Sequence, residues 1–120
     1  MTVIVLIRSN PKESHRPCEG IRIALGLAAG DHEVGVILMG EARLLLTPEV
    51  DEYIDGELTV KFLAGLTEFV PVFYVEEKGP GNDSPESDSV DLSDSEYPIE
   101  RLSHEAIAER IAAAAHFVAF

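Results

Sequence analysis

The chain opens on six residues, Thr2 to Ile7, that read TVIVLI with no polar break after the threonine. A run of β-branched and apolar residues that does not alternate suits a strand buried on both faces, as at the centre of a parallel sheet. A polar turn, RSNPKESHRP, follows, and then an amphipathic stretch from Ile21 to Ala29. Pro17 fits the first helical turn, where a missing N–H costs nothing, and Glu19 sits at the positive end of the helix dipole. Ile21, Ala24, Leu25 and Ala28 recur at helical spacing and form one buried stripe, which Gly30 closes as a C-cap. Buried strand, polar turn and packed helix commit the chain to an α/β fold. In such folds ligands sit beyond the C-terminal ends of the strands.

The rest of the chain repeats the alternation. Residues 33 to 39, EVGVILM, predict a second buried strand. Thr47-Pro48-Glu49 reads as a second helix start, with a capping hydroxyl, a proline and an acid, and Gly56 interrupts. Glu57 to Glu68 predicts a helix, with Glu57 and Lys61 spaced as an i,i+4 pair, and Pro71 to Val75 predicts the third strand. Tyr97 to Leu102 reads as a short strand that Pro98 places near an edge. Ser103 and Glu105 mark the start of a last helix, whose apolar face is Leu102, Ala106, Ile107, Ile111 and the alanines 112–115; His116 to Phe120 closes as a strand. Strands and helices that alternate with short returns imply a parallel sheet with helices on both faces. The expectation is a three-layer α/β/α single domain over residues 1–120 with a mostly parallel five-stranded sheet.

One stretch departs from this pattern. Residues 76 to 96 hold eight acids, one lysine and five serines, so seven of the chain's thirteen net negative charges are local to them. Such a composition cannot bury a core face, and a mobile acidic surface loop is expected at about 76–96. The net charge of -13, from 22 acids and 9 bases, argues against nucleic acid and anionic membrane, both of which require a basic footprint. No apolar run approaches the roughly 20 residues of a membrane span, and no secretory leader is read at the N-terminus. A single cysteine cannot form an internal disulfide, which fits a reducing, cytoplasmic location.

Three pieces of the chain carry a family likeness. They are VIVLIRSNP with EGIRIALGLAAGDHEVGVILMGEA, then LAGLTEFVPVFYV, then IERLSHEAIAERIAAAAHFVAF. In order and pattern they resemble the DsrE/DsrF-like (TusD/TusC-like) sulfur-relay proteins, small α/β subunits of sulfur metabolism. The resemblance implies a DsrE-like fold, assembly with itself or with related subunits, and an accessory role in sulfur relay. Active members of that family hold a persulfide-carrying cysteine just after the third strand. Here PVFYV is followed by Glu76-Glu77-Lys78-Gly79, and no cysteine stands there.

Two candidate sites follow. Cys18, near a helix start with His15 and Arg16 beside it, is the catalytic candidate, because a helix N-terminus favours the thiolate that would carry a persulfide. The opposed reading is a cysteine packed as a small hydrophobe. The loop before that helix is the anion-binding candidate, with Arg8, Asn10, His15 and Arg16 ahead of outward-facing N–H groups, though without a phosphate-loop or dinucleotide fingerprint. A non-enzymatic binder of small anions or nucleotides, and a structural oligomer subunit, are therefore the alternatives to sulfur relay. Glu41, after the second strand, reads as a cleft or surface carboxylate. His15, His32, His104 and His116 show no metal-binding spacing, so neither a metal site nor a cofactor is read.

Overall fold

The computed structural model describes residues 2–77, 92 and 94–120. The acidic loop expected at about 76–96 thus lies, for residues 78–91 and 93, outside the described residues. The elements run β1 (Thr2–Ile7), α1 (Arg16–Ala29), β2 (Glu33–Leu38), two 3-10 segments (Gly40–Leu46 and Pro48–Glu52), α2 (Gly56–Leu66), β3 (Phe73–Glu76), β4 (Ile99–Leu102), α3 (His104–Ala113) and β5 (His116–Ala119). The five strands form one sheet in the order β4-β3-β2-β1-β5, and every pairing is parallel. The fold class expected from the sequence therefore holds, with a sheet that is fully rather than mostly parallel.

The sheet sits between unequal layers. On one face Val5, Ile7, Val36, Leu38, Phe73 and Val75 pack with Ile21, Ala24 and Ala28 of α1 and with Leu63 and Leu66 of α2. The 3-10 segments add Leu44, Leu45, Leu46 and Val50 to the same core. On the other face α3 is the one helix among the described residues, and Ile107 packs with Ile4, Leu6, Ile37 and Leu102. Burying one such side chain stabilises by about 1.5–3 kcal/mol, so the first face carries most of the apolar gain. The run TVIVLI is uniformly apolar because β1 is covered on both sides: successive residues enter alternate cores.

Two local expectations give way to the structure. Thr47 does not cap a helix; its hydroxyl donates to the Leu44 carbonyl at 2.6 Å, and the chain takes short 3-10 turns on either side of it. Gly56 does not interrupt a helix but begins α2, and there the chain passes so close to the preceding turn that a Cβ would collide with the Val50 carbonyl oxygen. Gly30 is the C-cap of α1 as expected, at φ −86°, and Asp31 after it takes the left-handed conformation, at φ 70°. The other boundaries follow the sequence. Ser103 accepts a bond from the Ala106 N–H at 3.1 Å, and β4 occupies an edge as Pro98 implied.

Candidate functional site

In a fully parallel sheet all strands deliver their C-terminal ends to one rim. The chain leaves β1 and β2 toward the face covered by α1 and α2, and leaves β4 toward the face covered by α3. At this rim the end of β3 lies between the end of β2, whose chain leaves toward one face, and the end of β4, whose chain leaves toward the other. Glu76 is the last residue of β3, and four polar contacts converge on it or its neighbours.

Gly40, just beyond β2, takes φ +57°, a left-handed conformation that glycine reaches without strain. In this pose its N–H donates to Glu76 Oε1 at 3.0 Å. The guanidinium of Arg43, only 8% exposed, turns back to donate from Nε to the Gly40 carbonyl at 2.8 Å and from Nη1 to the Glu76 carbonyl at 3.4 Å. The second carboxylate oxygen, Oε2, lies 2.6 Å from Nε2 of His104, the first residue of α3. Facing a carboxylate oxygen, Nε2 is the donor of this contact, and Nδ1 lies outside it. The Glu76 side chain is 19% exposed and that of His104 59%, so a fixed carboxylate orients an accessible imidazole. That is an imidazole oriented by a carboxylate, with no hydroxyl or thiol among its described contacts.

The residues expected from the sequence lie elsewhere. Cys18 is in the first turn of α1 but only 4% exposed. Burial pushes its thiol above the ordinary range; a hydrogen bond from Thr59 of α2 opposes this, Asp55 and Glu19 raise it further, and Arg22 lowers it. The helix dipole is thus outweighed by desolvation. Glu19 is itself committed to Arg22, 2.7 Å away, and that contact holds its carboxyl below the usual range.

The basic loop spends its donors on itself. The Lys12 N–H donates to Asn10 Oδ1, those of Glu13 and Ser14 to the Asn10 carbonyl, and that of Arg16 to Ser14 Oγ. The Arg8 N–H extends the sheet to the Phe120 carbonyl at 2.9 Å. Lys12 sits over the Tyr53 ring, 5.7 Å from its centroid. Arg8, His15 and Arg16 are exposed, but the amide groups available to an anion are fewer than the sequence implied. Glu41 lies in the first 3-10 segment, half-buried beside this rim. Among the described residues no group of three or more His, Cys, Asp or Glu converges as metal ligands, and no described helix is long and apolar enough to cross a membrane.

Sequence reasoning passed over Glu76, Arg43 and His104. His104 has no histidine or cysteine neighbour in sequence, and Glu76 opens the acidic stretch. The available signal was positional: one residue ends the third strand and the other follows the fourth.

No family profile and no curated protein sequence matches the chain. Among solved structures it is similar to the YchN protein from E. coli, with a TM-score of 0.67 and 14% identity over 100% of this chain and 99% of that one. YchN is a DsrE-like fold protein, and the chain shares its three-layer α/β/α architecture.

Proposed function

We propose that the protein is a cytoplasmic DsrE-like subunit with an accessory role in sulfur relay, one that assembles with itself or with related subunits and does not carry the persulfide itself. The observation that carries this reading is the burial of the chain's lone thiol, 4% exposed beneath α2 and with its pKa raised. A sulfur carrier has to present a thiolate to donor and acceptor in turn. Past β3, where the sulfur-relay family that the sequence resembles keeps its cysteine, this chain has Glu76 locked to Gly40 and His104. Neither group forms a persulfide.

Intact-protein mass spectrometry after brief exposure to polysulfide tests the reading, with thiol alkylation followed in parallel. The expected result is an unchanged mass and an alkylation rate that becomes fast only after unfolding. Gain of one sulfur atom by the folded protein, lost in Cys18→Ser, with rapid alkylation at neutral pH, would instead make Cys18 the carrier.

A further inference from the structure

Among the described residues the strand β5 is an edge of the sheet with no device against further pairing. Natural edges are protected by lysine, proline, a bulge or a covering element. Residues 111–120, IAAAAHFVAF, contain no Asp, Glu, Lys, Arg or Pro, in a chain whose net charge is -13. Phe117 is 45% exposed and Val118 39%. The register places Phe117 beside Ile4 and Val118 beside Val5. Partners in a parallel pair share a face, so Phe117 lies on the α3 face and Val118 on the α1 face. Neither helical layer covers them.

This placement selects the kind of occupant. A helix laid on one face would cover one of the two side chains and leave the other in water. A strand added edge-on covers both and satisfies the outward backbone groups of β5. Charge then selects which strand. Two copies of a chain at -13 repel wherever their carboxylates meet, and β5 is an exposed edge free of them. The opposite edge, β4, carries Glu100 and Arg101 and follows the acidic stretch. Pairing of β5 with β4 of another copy would also leave free ends and build open chains, whereas pairing of β5 with β5 across a twofold axis closes.

We propose that β5 pairs antiparallel with β5 of a second copy, joining two five-stranded sheets into one continuous ten-stranded sheet. The inference rests on the assembly part of the function proposed above and names its surface. The test is sedimentation velocity on the full chain from micromolar to hundred-micromolar concentration, with circular dichroism to verify folding. The wild type is expected to populate a dimer, and Val118→Lys and Phe117→Lys, both at exposed positions, to be folded monomers. Leu58→Lys and Phe69→Lys, at exposed apolar residues off this edge, are expected to keep the dimer. A wild type that stays monomeric over the range, or a dimer that survives Val118→Lys, overturns the proposal. Either result leaves the mass measurement on Cys18 untouched, so the two readings fail separately.

Discussion

Cys18 shows how one residue's neighbourhood reverses what its position in sequence promises. Helix position and nearby bases argue for a thiolate, while burial against α2 argues for a thiol, and burial dominates. The helix dipole contributes about 0.3–1 kcal/mol at exposed sites, which a buried thiolate's lost hydration exceeds. The same shift makes a stability prediction. A group whose folded pKa is raised binds its proton more tightly in the folded state. Its contribution is therefore complete below the ordinary thiol value of about 8.5 and is lost as pH rises through the higher folded value. Tyr97 shifts the same way, first from burial and then from Glu96, and adds a second loss at still higher pH. Urea midpoints measured from neutral to alkaline pH should fall in the wild type. In Cys18→Ala the first part of that decline should disappear while the tyrosine part remains. An unchanged alkaline slope in the variant would mean that the thiol does not titrate with folding. None of this was visible in the sequence, because Thr59, whose side chain meets Cys18, stands 41 positions away.

At the level of elements, the strands and helices were legible wherever one period dominated. TVIVLI, the stripe of α1 and the Ser103 cap all predict what forms, because local preference and tertiary packing agree there. The segment from Gly40 to Glu52 was not legible, since Pro48 and a run of leucines fit several short helical paths and packing selects among them. The rim site was illegible for a different reason. It joins ends of elements 28 to 36 residues apart, and nothing marks Glu76 until β2, β3 and β4 are known to be neighbours. Its contacts predict a ranking of variants. Glu76→Ala leaves the part-buried Gly40 N–H without an acceptor, a loss of about 1–3 kcal/mol. Glu76→Gln keeps that acceptor and should cost less. His104→Ala removes an exposed partner and should cost no more than about 1 kcal/mol. Denaturant midpoints of the three variants check the order, and the double variant measures the coupling of the pair. A loss in His104→Ala as large as in Glu76→Ala would contradict a carboxylate anchored chiefly by the backbone.

For the whole molecule, charge is the quantity that sequence states outright and packing does not alter. A net charge of -13 and an isoelectric point near 4.5 accompany a radius of gyration of only 13.5 Å. The Debye length at 0.1 M salt is about 10 Å, so at low salt much of the repulsion acts across the molecule and opposes compaction. The two exposed arginine–glutamate pairs among the described residues are too weak to balance this. The Arg22–Glu19 pair is about half exposed on each side, and Arg110–Glu100 spans 3.6 Å at the surface. Each such pair is worth about 0–1 kcal/mol and is itself screened. Arg110 also stacks over Tyr74, 4.2 Å from the ring centroid, a contact that depends less on its carboxylate partner. Relief of repulsion should therefore exceed the loss of attraction. Raising sodium chloride from low millimolar to half molar is expected to increase Tm. It should also strengthen the pairing of β5 with β5, because that interface is apolar and brings two like-charged bodies together. An assembly held by complementary charges would weaken under the same change. A Tm that falls with salt would place more of the stability in ion pairs than these geometries allow, while a dimer that dissociates with salt would move the interface off the uncharged edge.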